Sequence, residues 1–190
     1  YLTVDISCPN TPNGKLFQQR GPLEQLLPRL QATRARVAQA AGIKLPPMLI
    51  KSAPDVTEQE RNDIAEVALA TGIDGMIVSN TTVARPDSLR SRHVSERGGL
   101  SGRPIFDIST SLLADMHALT KGKLPLIGVG GIASGADAYA KIRAGASAVQ
   151  LYSALVFAGP RLVRRIKDEL SACLRRDGFA ALKDAVGAGL

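Results

Sequence analysis

A short segment near the start of the chain combines a thiol, a carboxamide and two prolines: Ser7-Cys8-Pro9-Asn10-Thr11-Pro12. It follows an apolar run at residues 2–6 that is typical of a buried strand. Because prolines fix φ and stiffen a loop, we expect Cys8 and Asn10 to lie over whatever binds at that strand end. A thiol can serve as a nucleophile or a general base. No histidine is near Cys8 in sequence, which disfavours a Cys-His hydrolase, and a small buried thiol without chemistry is the alternative.

A lysine stands at the end of a second apolar run, at residues 48–52. A lysine facing a strand end is costly to leave without a partner, so Lys51 predicts a nearby negative charge. One possibility is a bound anion, such as the electron-rich edge of a reduced flavin. The other is an internal salt bridge, with Asp5 or Asp55 as the acid.

Neutral polar residues follow a third apolar run, at residues 75–79. Asn80 and Thr81, together with Asn10, would suit a planar ligand that offers several carbonyl and N–H groups. Asparagine and threonine are also ordinary turn residues, and that alternative stays open for each.

Two later segments have the composition of phosphate-binding turns: Gly128-Val129-Gly130-Gly131-Ile132 and Leu151-Tyr152-Ser153-Ala154. Glycine lets a backbone approach a phosphate closely, and N–H groups at a helix start bind anions. Tight turns without a ligand are the alternative.

These segments are spaced by five alternating strand and helix patterns. Strands are predicted at 2–6, 48–52, 75–79, 125–129 and 148–151, and helices at 22–41, 57–72, 107–120, 135–144, 160–175 and 179–186. Pro28 is expected to bend the first helix or reset its first turn. Thr57-Glu58-Gln59-Glu60 has the pattern of a capping box, and Gly72 that of a helix end.

The predicted fold class is α/β, with a parallel sheet whose short apolar strands are buried on both faces. No glycine-rich dinucleotide motif follows the first strand and no Gly-Lys-Ser/Thr loop is present, which disfavours Rossmann and P-loop folds. The polar residues fall at the carboxyl ends of strands, where a (β/α)8 TIM barrel has its active site. Such a barrel needs eight units and about 250 residues. We therefore expect residues 1–190 to be a single domain that supplies about the last five βα units of a barrel, with the first strands absent.

Composition limits the possible partners. The net charge is +7, but the densest basic group, at 161–176, is interrupted by Asp168 and Glu169 and has no interleaved aromatic residues, so we expect no nucleic acid and instead a basic helix that helps to attract anionic small molecules. No apolar run approaches the roughly 20 residues of a membrane span. Two cysteines and two histidines without ligand spacing predict neither a disulfide framework nor a metal site.

Six sequence blocks resemble the dihydroorotate dehydrogenase family, most closely its class 2, membrane-associated, quinone-reducing type. They occur in the family's order and span nearly the whole chain: 7–12, 49–55, 72–82, 98–102, 127–131 and 145–153. The resemblance implies a flavin enzyme that oxidises dihydroorotate to orotate in de novo pyrimidine biosynthesis.

The resemblance also implies roles for individual residues. Cys8 would be the catalytic base, and FMN would be the cofactor. The cofactor-binding residues would be Asp5, Lys51, Ser79, Gly102, Gly131, Tyr152 and Ser153, and the substrate-binding residues Asp5, Asn10, Asn80 and Thr81. A quinone would be the electron acceptor. The full-length protein would be peripheral at the cytoplasmic face of the inner membrane, attached only through an N-terminal segment absent here, and this chain alone would be soluble.

Two positions depart from the class 2 pattern. The base there is typically serine, whereas this chain has Cys8, as in the soluble class 1 enzymes; a model thiol has a pKa of about 8.5, which makes a thiol a sensible base. The family has asparagine where this chain has Asp5. A carboxylate at that position would repel an anionic substrate, by on the order of 1–4 kcal/mol at ~4 Å.

Two other functions remain compatible with the sequence. One is a related flavin barrel that acts on another dihydropyrimidine. The other is an inactive half-barrel, because five βα units alone leave open sheet edges.

Overall fold

The computed structural model describes residues 1–8 and 14–190. Five strands alternate with six α-helices. The strands are β1 Leu2–Asp5, β2 Met48–Ser52, β3 Gly75–Val78, β4 Leu126–Val129 and β5 Ala146–Gln150. The helices are α1 Arg20–Ala41, α2 Glu58–Thr71, α3 Phe106–Leu119, α4 Gly135–Arg143, α5 Ser153–Ala158 and α6 Arg161–Arg176. Short 3-10 turns occur at Leu16–Gln18, Arg103–Ile105 and Leu182–Ala185.

The strands form one parallel sheet in the order β1-β2-β3-β4-β5. Strands that are consecutive in the sequence are therefore neighbours in the sheet, as expected when each pair of parallel strands is joined by a helical crossover. All four residues of β3 are buried, as expected for a central strand covered on both faces. The predicted parallel α/β fold is therefore confirmed, and all five carboxyl strand ends lie along one edge of the sheet.

The sheet curves enough for its two outer strands to approach each other. The Gln150 Nε2 amide, at the end of β5, donates to the Tyr1 hydroxyl at 2.9 Å. Tyr1 immediately precedes β1, and β1 and β5 share no ladder hydrogen bonds. Such curvature is what closes a sheet into a barrel.

The main hydrophobic core lies between the sheet and helices α1 to α4. Ile50, Met76 and Leu126 are each fully buried on neighbouring strands. A smaller cluster joins Ile132 and Ala138 to Leu162 and Ile166 of α6. This second cluster fixes the loop after β4 against the helices that follow β5.

Local sequence signals set the helix ends. Thr57 and Glu60 form the predicted capping box: the Thr57 hydroxyl accepts from Glu60 N at 3.2 Å, and Glu60 Oε2 accepts from Thr57 N at 2.7 Å. Gly42 and Gly72 end their helices in the left-handed conformation, with φ of 62° and 66°. Few other residues tolerate that conformation, so the two predicted helix ends are confirmed.

Several predicted boundaries were wrong. Ser153–Ala158, expected to be loop, is the short helix α5, which Gly159 (φ 69°) separates from α6. The predicted terminal helix at 179–186 is only the 3-10 turn Leu182–Ala185. Helix α1 begins at Arg20 and runs through Pro28, so the proline does not reset its first turn. Among the described residues, no helix combines the length and the apolar character needed to cross a bilayer.

Candidate functional site

A cavity of about 490 Å³ opens at the carboxyl ends of strands β2 to β5. Most of the predicted site residues line it: Lys51, Ser79, Asn80, Thr81, Gly102, Gly131, Tyr152 and Ser153. Asp5 and Cys8 are outside the lining, although Asp5 contacts Asn80. Asn10 lies outside the described residues. The fold thus brings together side chains from four strand ends that are up to 102 residues apart in sequence.

Asp5, Ser7 and Asn80 form a hydrogen-bonded cluster beside this cavity. Asp5 Oδ1 accepts from Ser7 N at 2.9 Å and from Ser7 Oγ at 2.8 Å. The Asn80 Nδ2 amide donates to Asp5 Oδ2 at 3.2 Å and to Ser7 Oγ at 3.1 Å. Asn80 Oδ1 accepts from Thr81 N at 2.8 Å. The cluster fixes the orientation of the Asn80 carboxamide, because its two ends have different partners.

The backbone at the end of β3 is also fixed. Asn80 N donates to the Ser52 carbonyl at 2.7 Å, which ties the end of β3 to the end of β2. Ser79 is buried, and its hydroxyl donates to the Asn80 carbonyl at 3.0 Å. Asn80 is therefore held by its backbone and by its side chain before any ligand binds.

Lys51 faces the cavity without a protein counter-charge. Its ammonium makes no ion pair or hydrogen bond with residues 1–8 or 14–190. Asp55 instead binds the loop after β3: its carboxylate accepts from the Thr82 hydroxyl and from Val83 N, the latter at 2.9 Å. Asp5 is occupied by Ser7 and Asn80. The internal salt bridge that the sequence left open is absent from the described structure, and a half-buried lysine in this position favours an anionic ligand.

Glycines and hydroxyls meet at the other end of the cavity. Ser153 begins α5, and its Oγ lies 2.8 Å from Ser101 Oγ. Gly102 has φ of 82°, and a Cβ there would lie 3.4 Å from Ser153 Cβ. Gly131 has φ of 73°, and a Cβ there would lie 2.5 Å from Phe106 Cβ. The fold itself therefore requires glycine at 131, and the same absence of side chains leaves backbone open to a ligand.

The sequence did not indicate two arginines that line the cavity, Arg103 and Arg165. Arg103 Nη1 donates to Asp137 Oδ1 at 2.6 Å, and its guanidinium lies 4.9 Å from the centre of the Phe106 ring. Arg165 Nη2 donates to the Ala133 carbonyl at 3.4 Å. In the sequence, Arg165 stands out only as one member of a basic helix. Arg103 begins a short 3-10 turn in a connecting segment, whose conformation no hydrophobic periodicity predicts.

Asp137 positions Arg103 from the start of α4. Burial tends to raise the pKa of this carboxyl, but hydrogen bonds from Arg103, from Ala133 N at 3.0 Å and from the turn at Ser134 outweigh that effect and lower the pKa. The ionised carboxylate therefore persists at neutral pH and holds Arg103 at the rim of the cavity.

Aromatic side chains on and before α5 leave one side of the cavity open to solvent. Tyr152 is 79% exposed and Phe157 is 89% exposed, although both line the cavity. The cavity is thus polar at the β2 and β3 ends, basic and rich in hydroxyls near Ser153, and apolar toward α5. This arrangement suits a flat, partly apolar molecule that carries one anionic group.

Comparison with known proteins agrees with this geometry. The family model described as dihydroorotate dehydrogenase matches residues 1–174. The quinone-type dihydroorotate dehydrogenases of Azorhizobium caulinodans and Parvibaculum lavamentivorans are 53% and 55% identical over 100% and 99% of this chain, which covers 53% and 52% of their lengths. A crystal structure of the Eimeria tenella enzyme with ferulenol superimposes with a TM-score of 0.95 at 42% identity, over 99% of this chain and 53% of that one.

The chain spans about half the length of these relatives. Its curved five-stranded sheet corresponds to part of the TIM barrel of the structural neighbours, which confirms the predicted fold class. The family model covers well over half of the chain, and curated relatives match nearly all of it. Sequence and structure together show that this chain belongs to the dihydroorotate dehydrogenase family.

Proposed function

We propose that the protein containing this chain oxidises dihydroorotate to orotate with bound FMN and passes the electrons to a quinone, as a step of pyrimidine biosynthesis. The names of its relatives support the reaction and the acceptor. The observation that carries the proposal is the cavity itself, which is lined by a lysine without a partner in the described part of the chain, by a fixed carboxamide and by a glycine- and hydroxyl-rich end.

The residues present fit a flavin mononucleotide. Lys51 offers a cation that has no partner among residues 1–8 and 14–190, which suits the electron-rich edge of an isoalloxazine. Ser153, Ser101 and the side-chain-free backbone at Gly102 and Gly131 offer donors to a single phosphate. A single glycine- and hydroxyl-rich end of this kind favours FMN, with one phosphate, over a dinucleotide flavin.

Each cofactor-binding residue has a proposed part. Lys51 and Ser79 contact the isoalloxazine and its surroundings. Gly102, Gly131, Tyr152 and Ser153 hold the phosphate. Asp5 would serve both the flavin and the substrate site through its bond to Asn80.

The substrate is proposed to bind at the β1 and β3 ends. Asn80 Oδ1 keeps one oxygen lone pair beyond the bond that it accepts from Thr81 N, whereas the two amide hydrogens are already directed at Asp5 and Ser7. That lone pair and the Thr81 hydroxyl match an N–H and a carbonyl group of a dihydropyrimidine. Asn10 is proposed to complete this set.

Cys8 is the proposed catalytic base. It follows β1 by three residues and is partly buried, close in sequence to the cluster that holds Asn80. Cys8 takes the proton from C5 of dihydroorotate as a hydride departs from C6, so two hydrogens leave and the ring double bond of orotate forms. FMN, when bound, supplies the two-electron acceptor that this oxidation requires.

A quinone as the next electron acceptor would require the whole protein to work at a membrane surface, which we propose is the cytoplasmic face of the inner membrane.

Purification of the full-length protein tests this proposal. Release of the cofactor by denaturation should give FMN in near 1:1 ratio to protein, and dihydroorotate oxidation should be faster with a soluble quinone analogue than with NAD⁺ or fumarate. Dihydrouracil and dihydrothymine as substrates test the related flavin barrel, and a colourless preparation without activity would favour the inactive half-barrel.

A further inference from the structure

Lys141 on α4 is a lysine with no exposed surface. Its Nζ donates to Ser109 Oγ and to the Phe106 carbonyl, the latter at 3.3 Å. The ammonium also lies 4.9 Å from the centre of the Phe106 ring. Lysine is almost never fully buried unless it is paired, so this position calls for a partner.

No carboxylate of residues 1–8 or 14–190 forms an ion pair with Lys141. Asp107 on α3 and Asp137 on α4 act on it only from a distance, and Asp137 is already paired with Arg103. On α6, which packs against α4, Arg165 and Glu169 pair with each other. Strands β4 and β5 contribute no charged residue.

The partners of Lys141 lie directly behind the Gly130–Gly131 turn, which lines the cavity. Ser109 Oγ lies 3.5 Å from the Gly130 carbonyl. A Cβ on Gly131 would lie 2.8 Å from Phe106 Cα. The buried ammonium is therefore one residue layer behind the Gly130–Gly131 turn, and Arg103 lies 4.9 Å from the centre of the same Phe106 ring.

We propose that Lys141 is a buried charge that increases the affinity of this cavity for the phosphate-bearing form of its flavin, without touching the phosphate. The inference rests on the proposed function. A charge in a low-dielectric wall is poorly screened, so its field reaches an anion across a turn of backbone. The phosphate is then the counter-charge that no side chain of the described structure supplies.

This arrangement makes flavin affinity depend on pH. Burial lowers the pKa of Lys141 to about 7, against the opposing pull of Asp107 and Asp137. A bound phosphate would raise the pKa of Lys141. At a pH where Lys141 is neutral in the free protein, FMN binding is therefore accompanied by the uptake of one proton. FMN affinity should therefore be highest below pH 7 and fall by up to about tenfold per pH unit above it. The phosphate itself, with its second pKa near 6, stays mainly dianionic over this range.

The test compares FMN with riboflavin, which has the same ring system but no phosphate. Dissociation constants are measured by flavin fluorescence in the full-length apoprotein at pH 6.5 and 8.5. The variants are Lys141→Met and, as a matched control, Lys167→Met on the exposed face of α6. Methionine is close to lysine in length, and replacement of a buried charge by an apolar group is often tolerated.

The expected result is a roughly tenfold weaker FMN affinity for Lys141→Met at pH 6.5, with riboflavin affinity and the Lys167→Met control little changed. In Lys141→Met, the FMN dissociation constant should vary with pH only as much as titration of the FMN phosphate itself requires. Equal weakening of FMN and riboflavin, or no weakening, would overturn the inference. If Lys141→Met does not fold, the wild-type protein decides: the FMN-to-riboflavin affinity ratio must fall between pH 6.5 and 8.5. Binding of neither flavin by the wild type would instead count against the proposed function.

Discussion

The Asn80 side-chain amide donates to Asp5 Oδ2 at 3.2 Å, although the two residues are 75 positions apart and lie at the ends of β3 and β1, which are separated by β2. The same amide also donates to Ser7 Oγ at 3.1 Å. Asp5 therefore affects the proposed substrate site in two ways: it orients Asn80, and it brings a carboxylate near an anionic ligand.

Asp5→Asn should strengthen binding of dihydroorotate. The substitution removes a charge that repels the substrate, a term on the order of 1–4 kcal/mol at ~4 Å, while an amide oxygen still accepts from Asn80. We expect the dissociation constant for orotate, measured by the change in flavin absorbance, to fall at least fivefold. Asp87→Asn, on the exposed loop after β3, is the control and should have no effect. An unchanged orotate affinity in Asp5→Asn would show that Asp5 does not face the substrate.

Lys51→Met should lower flavin content. The ammonium has no counter-charge in the described structure, so its loss removes an interaction with the ligand and leaves no protein carboxylate unpaired. We expect FMN affinity to weaken by about ten- to a hundredfold, with the free energy of unfolding of the apoprotein unchanged or increased. Lys44→Met, on an exposed position before β2, is the matched control. Retention of full flavin content by Lys51→Met would show that the lysine serves the fold.

Cys8→Ala should separate flavin binding from chemistry. The loss of a positioned base typically costs about 10²- to 10⁴-fold in rate, whereas Cys8 does not line the cavity. We expect normal FMN content and slow flavin reduction by dihydroorotate in stopped-flow absorbance. Cys8→Ser should recover part of the rate, mainly at higher pH, since a hydroxyl is the weaker acid. Wild-type reduction rates in Cys8→Ala would contradict the assignment of the base.

Gly131→Ala should destabilise the protein more than an alanine at a similar backbone conformation elsewhere. Gly131 and Gly178 have φ of 73° and 78°, but only at Gly131 would a Cβ meet a neighbour, Phe106 Cβ at 2.5 Å. Both substitutions cost about 1–2 kcal/mol for the left-handed backbone, and Gly131→Ala adds about 1–3 kcal/mol of overpacking. Denaturant unfolding of the two variants measures the difference. Equal losses would mean that the turn can move away from Phe106.

Asp137→Asn should reduce the loss of unfolding free energy that occurs when the pH is lowered. The pKa of Asp137 is lowered in the folded protein, so its stabilising contribution is present above the unfolded-state pKa of about 3.9 and is lost as the pH falls through the folded-state value. We expect the variant to be less stable at pH 7, by about 1 kcal/mol for the weakened hydrogen bonds from Arg103 and Ala133 N, and to lose less stability on acidification. Urea unfolding at pH 7 and pH 3 provides the comparison. Parallel profiles for wild type and variant would refute this role.

Much of the fold follows from local sequence signals. The capping box at Thr57 and the glycines at 42 and 72 predicted helix ends because their effect depends on neighbouring residues only. Apolar strands with polar residues at their ends predicted which edge of the sheet carries the site. Helix α5 was missed because its six residues expose most of their apolar side chains, so no buried periodicity marked it.

The parts of the site that were missed depend on distant contacts. Arg103 is placed by Asp137, 34 residues away, and no short-range pattern links them. The fully buried position of Lys141 depends on the packing of α3 against α4, and in the sequence it stands among ordinary helix residues. The absence of a salt bridge between Lys51 and either Asp5 or Asp55 depends on where those two carboxylates form their hydrogen bonds. The hydrogen-bond partners of these two carboxylates cannot be read from the sequence alone.

The most direct test of the proposed function is an anaerobic titration of the purified full-length protein with dihydroorotate, followed by visible absorbance. The account predicts flavin absorption bands that bleach with about one equivalent of dihydroorotate, in wild type within seconds and in Cys8→Ala far more slowly. Flavin bands that do not bleach with dihydroorotate in the wild type would contradict the account.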